Sequence, residues 1–440
     1  MAYLTLLMAS ILVNFAIGKV LQKFPRKHIL VTGIVFNLLI IIYYKYSNFF
    51  IENVNLFVEN KLSLLNLFLP LGISFFTFQQ ITYLCDIFSG KLKNSQFLNY
   101  VLYLTFFPHL LAGPITHYLQ MVPQFEKSKT TNYISDKMLA AGWAIFIIGL
   151  FKKVVLADHI SPISDVLFTN ATATSMTFAD AWVGTFAYAF QIYYDFSGYS
   201  DMAIGLALMF GIELPLNFYS PYKSANIIEF WRCWHMTLSK FLRDYLYIPL
   251  GGSRTGGTRR YLNLMIVMLL GGLWHGAGWN FIIWGGLHGT YLIINHAFQR
   301  GFKFAGSDRS ATIRTGLFTA VTFVAVCVAW VFFRAPNLLS ATHILSTALG
   351  GKSLSMHFMV LKSAVSINHA PLFAVLIFIT WCLPNVSQIF QYQDFNKEVQ
   401  KVRFYFDQSS PYLMAMGVSV LFFFSVVFLS RVSPFLYFQF

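Results

Sequence analysis

Two histidines, His235 and His275, each follow a tryptophan in largely apolar stretches, and imidazole is the side chain best suited to moving a proton near neutral pH. His235 stands in NIIEFWRCWHMTLSKFLRDYLYIPLGGS and His275 in YLNLMIVMLLGGLWHGAGWNFIIWGGLHG, joined by a basic Gly-rich turn from Arg254 to Arg260. In GGLWHGAGWN, Gly271, Gly272, Gly276 and Gly278 permit close backbone approach and a broken helix. At membrane depth such a break is tolerated where it lines protein or a water-filled cavity. Desolvation there favours the neutral ring, ready to accept a proton from a hydroxyl. The competing reading is a buried histidine that only satisfies hydrogen bonds, the reading kept for His109 and His288.

Other polar groups in greasy surroundings raise the same question. Asp195 and Asp201 lie in QIYYDFSGYSDMAIG, where buried carboxylates are expensive and face an interior or cavity. They can line a path, or they can tie helices together and support a bend near Gly198. Arg243, Arg254, Arg259 and Arg260 offer cations to lipid headgroups or to the phosphates of coenzyme A; a ligand-free basic loop is the alternative. Cys233 and His235 do not form a nucleophile–base pair if they share a helix, because residues two apart project about 200° from one another. The histidines lack HExxH-like spacing for zinc, and the four cysteines are scattered singly, without the spacing of a disulfide framework or a CxxC metal site.

The elements that position these groups must cross a bilayer. Of the 440 residues 57% are hydrophobic and 11% charged, against about 25% charged in soluble domains. The 48 Phe and 23 Tyr suit lipid packing and interfacial belts. The formal charge of +14 sits in short loops between apolar runs, which fits the cytoplasmic leaflet, and no nucleic-acid module is visible.

Residues 1–18 read as a retained helix, since they lack a basic n-region and a cleavage site. The Lys/Arg loop 19–28 places the N-terminus outside; 29–46 crosses back, and 47–60, with Glu52 and Glu59, is an outer loop. Lys61 to Phe88 is long enough to cross. Phe97 to Gln120 is broken by Pro108, Gly113 and Pro114 into a re-entrant or bent element. Leu139 to Ala157 crosses outward, with Lys152 and Lys153 placed awkwardly, 158–177 is an outer loop, and Phe178 to Phe210 is the next span. Glu229 to Tyr247 repeats apolar residues at three and four, interrupted by charge, and predicts one interfacial amphipathic helix. Further crossings are expected at 315–333, 371–384 and 412–429, separated by basic loops at 300–314 and 397–403, which leaves the C-terminus outside. The whole predicts one all-α membrane domain over 1–440 with about 9–11 spanning or re-entrant helices and the chemistry within 226–289.

The run PLNFYSPYKSANIIEFWRCWHMTLSKFLRDYLYIPLGGSR, with LWHGAGWNFIIWGGLHG downstream, resembles the membrane-bound O-acyltransferase family, in the bacterial polysaccharide branch of the alginate O-acetylation membrane subunit. LPLGISFFTFQQITYLCDIFSG, FFPHLLAGPI and QIYYDFSGYSDMAIG carry the same likeness, so it covers about 68–334 and the tail. The resemblance implies a helical ring around a thin centre with a funnel on each face. It implies His275 as the essential histidine and general base, His235 as the residue that orients substrate or polarises the thioester carbonyl, and Trp274 and Asn280 beside them along the tunnel. It further implies acetyl-CoA as cytoplasmic acyl thioester donor with no tightly bound cofactor, an acceptor hydroxyl from the outer side, and a periplasmic SGNH-type acetyltransferase or esterase partner in a bacterial inner membrane. Members of this branch usually carry one or two further apolar helices before the equivalent of LLMASILVNFAIG. The closing FLYFQF resembles the C-terminal motif of the small partner in teichoic-acid D-alanylation, so Tyr437 reads either as an acyl relay or as an interfacial anchor. A transporter or flippase and a D-alanyl transferase are the competing functions; PLGGSR is the wrong signature for the second, and no internal repeat supports the first.

Overall fold

The computed structural model describes residues 2–130, 134–254, 256–301, 309–351, 354–364, 369–390, 411–431 and 435–436, and among them every regular element is helical. The chain divides into two units, Met1–Phe146 with Ala203–Pro215 and Ile147–Met202 with Leu216–Phe440. Four helical runs among the described residues are long and apolar enough to cross a bilayer: Tyr3–Lys23, Lys27–Val54, Asp136–Thr169 and Ile313–Arg334. Shorter apolar helices cover Leu338–Ala348, Ala370–Cys382 and Tyr412–Phe428. The protein is an all-α multi-pass membrane protein.

In the first unit, α1 (Ala2–Lys23), α2 (Lys27–Ile41) and α4 (Ile73–Phe88) are tied by buried amides. Asn14 and Asn37 exchange hydrogen bonds at 2.6 and 3.2 Å, and the Gln80 side chain accepts from Ser10 and Asn14 at 2.8 Å each. Amides buried among apolar helices keep one register, because any slip leaves them unsatisfied. α2 continues through a π turn at Ile42–Tyr46 into α3 (Ser47–Val54), where an outer loop is expected. The expected span 61–88 shortens to α4: Pro70 and a left-handed Gly72 stop the helix, and residues 61–70 form no regular element. Asn48 and Asn55 satisfy that backbone, each gripping one leucine, Leu65 or Leu62, through both its N–H and its C=O. α5 (Phe97–Thr105) and α6 (Tyr118–Thr130) flank the predicted break at FFPHLLAGPITH.

α7 (Asp136–Phe151) passes through a π turn at Lys152–Ala157 directly into α8 (Asp158–Thr169), so the first half of the expected outer loop 158–177 is a largely buried helix. α9 (Phe178–Met209) is unbroken through Gly198. Gly198 marks a close crossing instead of a bend: a Cβ there would lie 2.7 Å from the Gly149 carbonyl oxygen.

The largest departure is at 229–247. In place of one helix there are α10 (Ile227–Cys233), α11 (Met236–Leu242) and a π turn at Arg243–Tyr247, broken at His235 in the left-handed conformation with φ 43°. α12 (Gly257–His275) and α13 (Trp279–Gly301) form the expected hairpin, and α14 (Arg309–Arg334) packs on α13, its first residues occupying the expected loop 300–314. The expected loop at 397–403 lies outside the described residues.

Candidate functional site

His235 sits where it does because a neighbouring strand-like segment holds the helix break open. Tyr219 N donates to Cys233 O at 2.9 Å and Met236 N donates to Asn217 O at 3.0 Å, so residues 217–219 run alongside the break. Asn217 completes the clamp with its side chain. Its Oδ1 accepts from Thr237 Oγ1 at 2.9 Å and meets His235 Nδ1 at 3.0 Å, while Nδ2 donates to Ser200 Oγ. Since Oδ1 is the accepting atom of that amide, His235 Nδ1 carries the proton and Nε2 carries the lone pair. A non-glycine residue at positive φ is strained, and the clamp is what supports it. With the helix broken, the angular argument against Cys233 no longer applies. The Cys233 thiol is instead pushed up to about 11, first by burial and then by the Glu229 charge, which leaves it a poor nucleophile.

His275 is the last residue of α12, and the turn that follows is shaped by Phe281. A Cβ on Gly276 would lie 2.0 Å from the Phe281 ring, so only glycine lets that ring lie against the backbone where the helix ends. The His275 ring is enclosed edge-on by Trp274, Trp284 and Phe333, with centroids at 4.8, 5.1 and 5.1 Å. His235 lies within this wall: the two imidazole centroids are 6.4 Å apart, and Trp274 is 6.3 Å from His235. On its other side His235 meets Phe196 at right angles, 4.9 Å away. Both histidines are buried, and burial pushes the His235 imidazole, which lies between two short helices and outside the spans, down to about 3. The fold thus brings two buried imidazoles from separate elements together among aromatic rings.

The other predicted residues separate from this pair. Asn280 is buried, and its Nδ2 donates to the Ala335 carbonyl at 2.7 Å, tying the start of α13 to the end of α14. Asp201 pairs with Lys152 at 2.6 Å, and Asp195 pairs with Lys153 at 2.7 Å. Lys153 also holds Asp158 at 2.7 Å. The two lysines that sit awkwardly in the sequence are therefore the counter-ions of the two awkward aspartates. Arg243 pairs with Asp244 and Arg260 bonds His296, whereas Arg254 and Arg259 are exposed at the turn leading into α12. His288 accepts the Trp231 indole N–H at 3.2 Å, and His109 bonds the Tyr103 carbonyl at 3.1 Å. Tyr437 lies outside the described residues. Among those described, no group of three His, Cys, Asp or Glu could hold a metal.

Residues not singled out from the sequence complete the chamber: Asn217, Phe196, Trp284 and Phe333. Only Asn217 carried a signal, as a polar residue inside the PLNFYSPYK run, 18 positions before the histidine it holds.

Comparison with known proteins agrees with this architecture. The family model described as membrane-bound O-acyltransferase matches residues 74–342. The chain is similar to the peptidoglycan O-acetyltransferase of Helicobacter pylori, 40% identical over 100% of this chain and 88% of that protein. It is 43% identical to the probable alginate O-acetylase of Azotobacter vinelandii over 70% of this chain, a match that spans 60% of that relative's length. The teichoic acid D-alanyltransferase of Bacillus subtilis is 30% identical over 61% of this chain and 69% of its own.

Proposed function

The chain belongs to the membrane-bound O-acyltransferase family, and from that premise we propose that it moves an acetyl group from a cytoplasmic thioester, acetyl-CoA, to a hydroxyl of a bacterial envelope polysaccharide. The observation that carries the proposal is the pair of buried histidines, 40 positions apart in sequence and 6.4 Å apart in space, in one aromatic chamber. His275 takes the proton of the acceptor hydroxyl as its oxygen attacks the thioester carbonyl; the tetrahedral adduct collapses, the C–S bond breaks, and the leaving thiolate takes that proton back from His275. With Nδ1–H committed to Asn217, neutral His235 offers Nε2 as a hydrogen-bond acceptor. It is therefore suited to orienting the hydroxyl, and it does not polarise the carbonyl, which needs a donor. Holding the two substrates against one another supplies the larger part of the acceleration.

The Arg254–Arg260 turn and the N-terminus of α12 suit the donor's phosphates, with Arg254 and Arg259 exposed for that role. We place this turn at the cytoplasmic face of the inner membrane, with the acceptor and an SGNH-type partner on the opposite face. Peptidoglycan is the favoured acceptor, because the relative of that activity aligns with the whole chain. Alginate is the second reading, supported by comparable identity over a shorter match. The test is transfer of labelled acetyl from acetyl-CoA by purified protein to peptidoglycan fragments or alginate oligosaccharides, with and without the partner. Label on the glycan that depends on His275 supports the proposal; glycan translocation without acetyl transfer would favour a transporter.

A further inference from the structure

The charge cluster on α9 reaches beyond its lysines to the C-terminal part of the chain. Asp195 uses both carboxylate oxygens: Oδ1 meets Lys153 Nζ at 2.7 Å, and Oδ2 accepts the backbone N–H of Leu436 at 3.0 Å. Lys153 has a second counter-ion in Asp158, so the role of Asp195 extends past neutralising it. A carboxylate that accepts a buried backbone N–H makes a charge-assisted bond, stronger than a neutral one. Phe435 and Leu436 are buried at this seat. Phe435 stacks on Tyr199 with centroids 4.7 Å apart and meets Phe196 edge-on at 6.1 Å. Phe196 follows Asp195 in sequence and is the ring that stands against His235.

We infer that Asp195 is a positioning residue for acyl transfer: it seats Phe435 and Leu436 against the Phe196 side of His235 and so makes these two residues part of the site. The inference rests on the acyl-transfer reading above. Asp195 holds the backbone at Leu436; Phe435 then backs Phe196, and Phe196 backs the imidazole. Releasing the seat frees Phe196 to change rotamer and lets His235 drift, and a displacement of about 1 Å in a reacting group can cost about a hundredfold in rate.

The test uses the full-length protein with two readouts. Leu436→Cys, in a background where the exposed Cys382 is replaced by Ser, reports whether the seat is closed. Thiol labelling is expected to be slow with Asp195 present and about tenfold faster or more with Asp195→Ala, the scale of one hydrogen bond to a charged group. Asp195→Asn should fall between them, because its amide oxygen still accepts, and it serves as the folded control. In acetyl transfer, Asp195→Ala and Phe435→Ala should each lower kcat with the KM for acetyl-CoA unchanged, and the double variant should be no slower than the slower single, because both act through one seat. Unchanged labelling, or losses that multiply in the double variant, would overturn the inference. Wild type and His275→Ala run alongside: a wild type without transfer overturns the acyl-transfer reading, while an active wild type matched by Asp195→Ala in rate and labelling overturns this inference alone.

Discussion

Two polar regions lie among the apolar helices, and they have been handled in opposite ways. On α7–α9 the charges are neutralised in place, with Lys152 on Asp201 and Lys153 between Asp158 and Asp195. Around His235 and His275 the walls are aromatic rings, with Phe196 against the first imidazole and Trp284 and Phe333 against the second. Paired buried charges fix helix register and are costly to disturb. An imidazole kept neutral by burial, as His235 is, brings no charge to neutralise and can accept a proton. A polar residue at membrane depth therefore does not by itself mark a reaction centre; what surrounds it decides.

Four substitutions or titrations separate the two regions, beginning with the largest effect. His275→Ala should lower acetyl transfer by about 10²- to 10⁴-fold, the usual worth of a general base, while the detergent-solubilised protein keeps its thermal midpoint. Lys153→Met should act first on stability. It leaves Asp158 and Asp195 buried without their shared cation and should cost about 3–5 kcal/mol, read as a lowered midpoint and poor recovery of folded protein. A Lys153→Met protein as stable as wild type would break the contrast.

Asn217→Ala removes the acceptor for His235 Nδ1 and Thr237 Oγ1 and should reduce kcat about ten- to a hundredfold, with KM for the donor little changed. Rescue by Asn217→Asp, which keeps an acceptor oxygen, would sharpen the assignment of the tautomer. The smallest effect is in pH. The folded value of His235, about 3, lies below the roughly 6.5 of an exposed histidine, so as pH falls through 6.5 the unfolded chain binds a proton that the folded site refuses. Stability is then lost progressively from about pH 6.5 downward, and His235→Asn should flatten the fall in thermal midpoint between pH 8 and pH 5.

The sequence made some of this legible and hid the rest for physical reasons. Both histidines stood out because each follows a tryptophan in an apolar stretch, and around His275 glycines mark where an apolar helix ends or is approached closely, as Gly276 is by Phe281. The break at His235 did not, because the apolar spacing from Phe230 to Tyr245 carries on across it. The stop is imposed by Asn217, a partner from another segment, and not by a local breaker. The pairing of Lys152 and Lys153 with Asp201 and Asp195 was hidden likewise, since it joins residues more than 40 positions apart. The apolar run 61–72 reads as half a span, yet it is not helical, and Asn48 and Asn55 satisfy the backbone of Leu65 and Leu62 from the side.

The most direct test sets the two regions against one another in a single assay. Purified wild type, His275→Ala and Asp201→Asn are given labelled acetyl-CoA and a peptidoglycan acceptor, and initial rates are normalised to folded protein. Near-complete loss in His275→Ala, with Asp201→Asn still transferring acetyl at close to the wild-type rate, is the predicted result. Full transfer by His275→Ala would contradict the account.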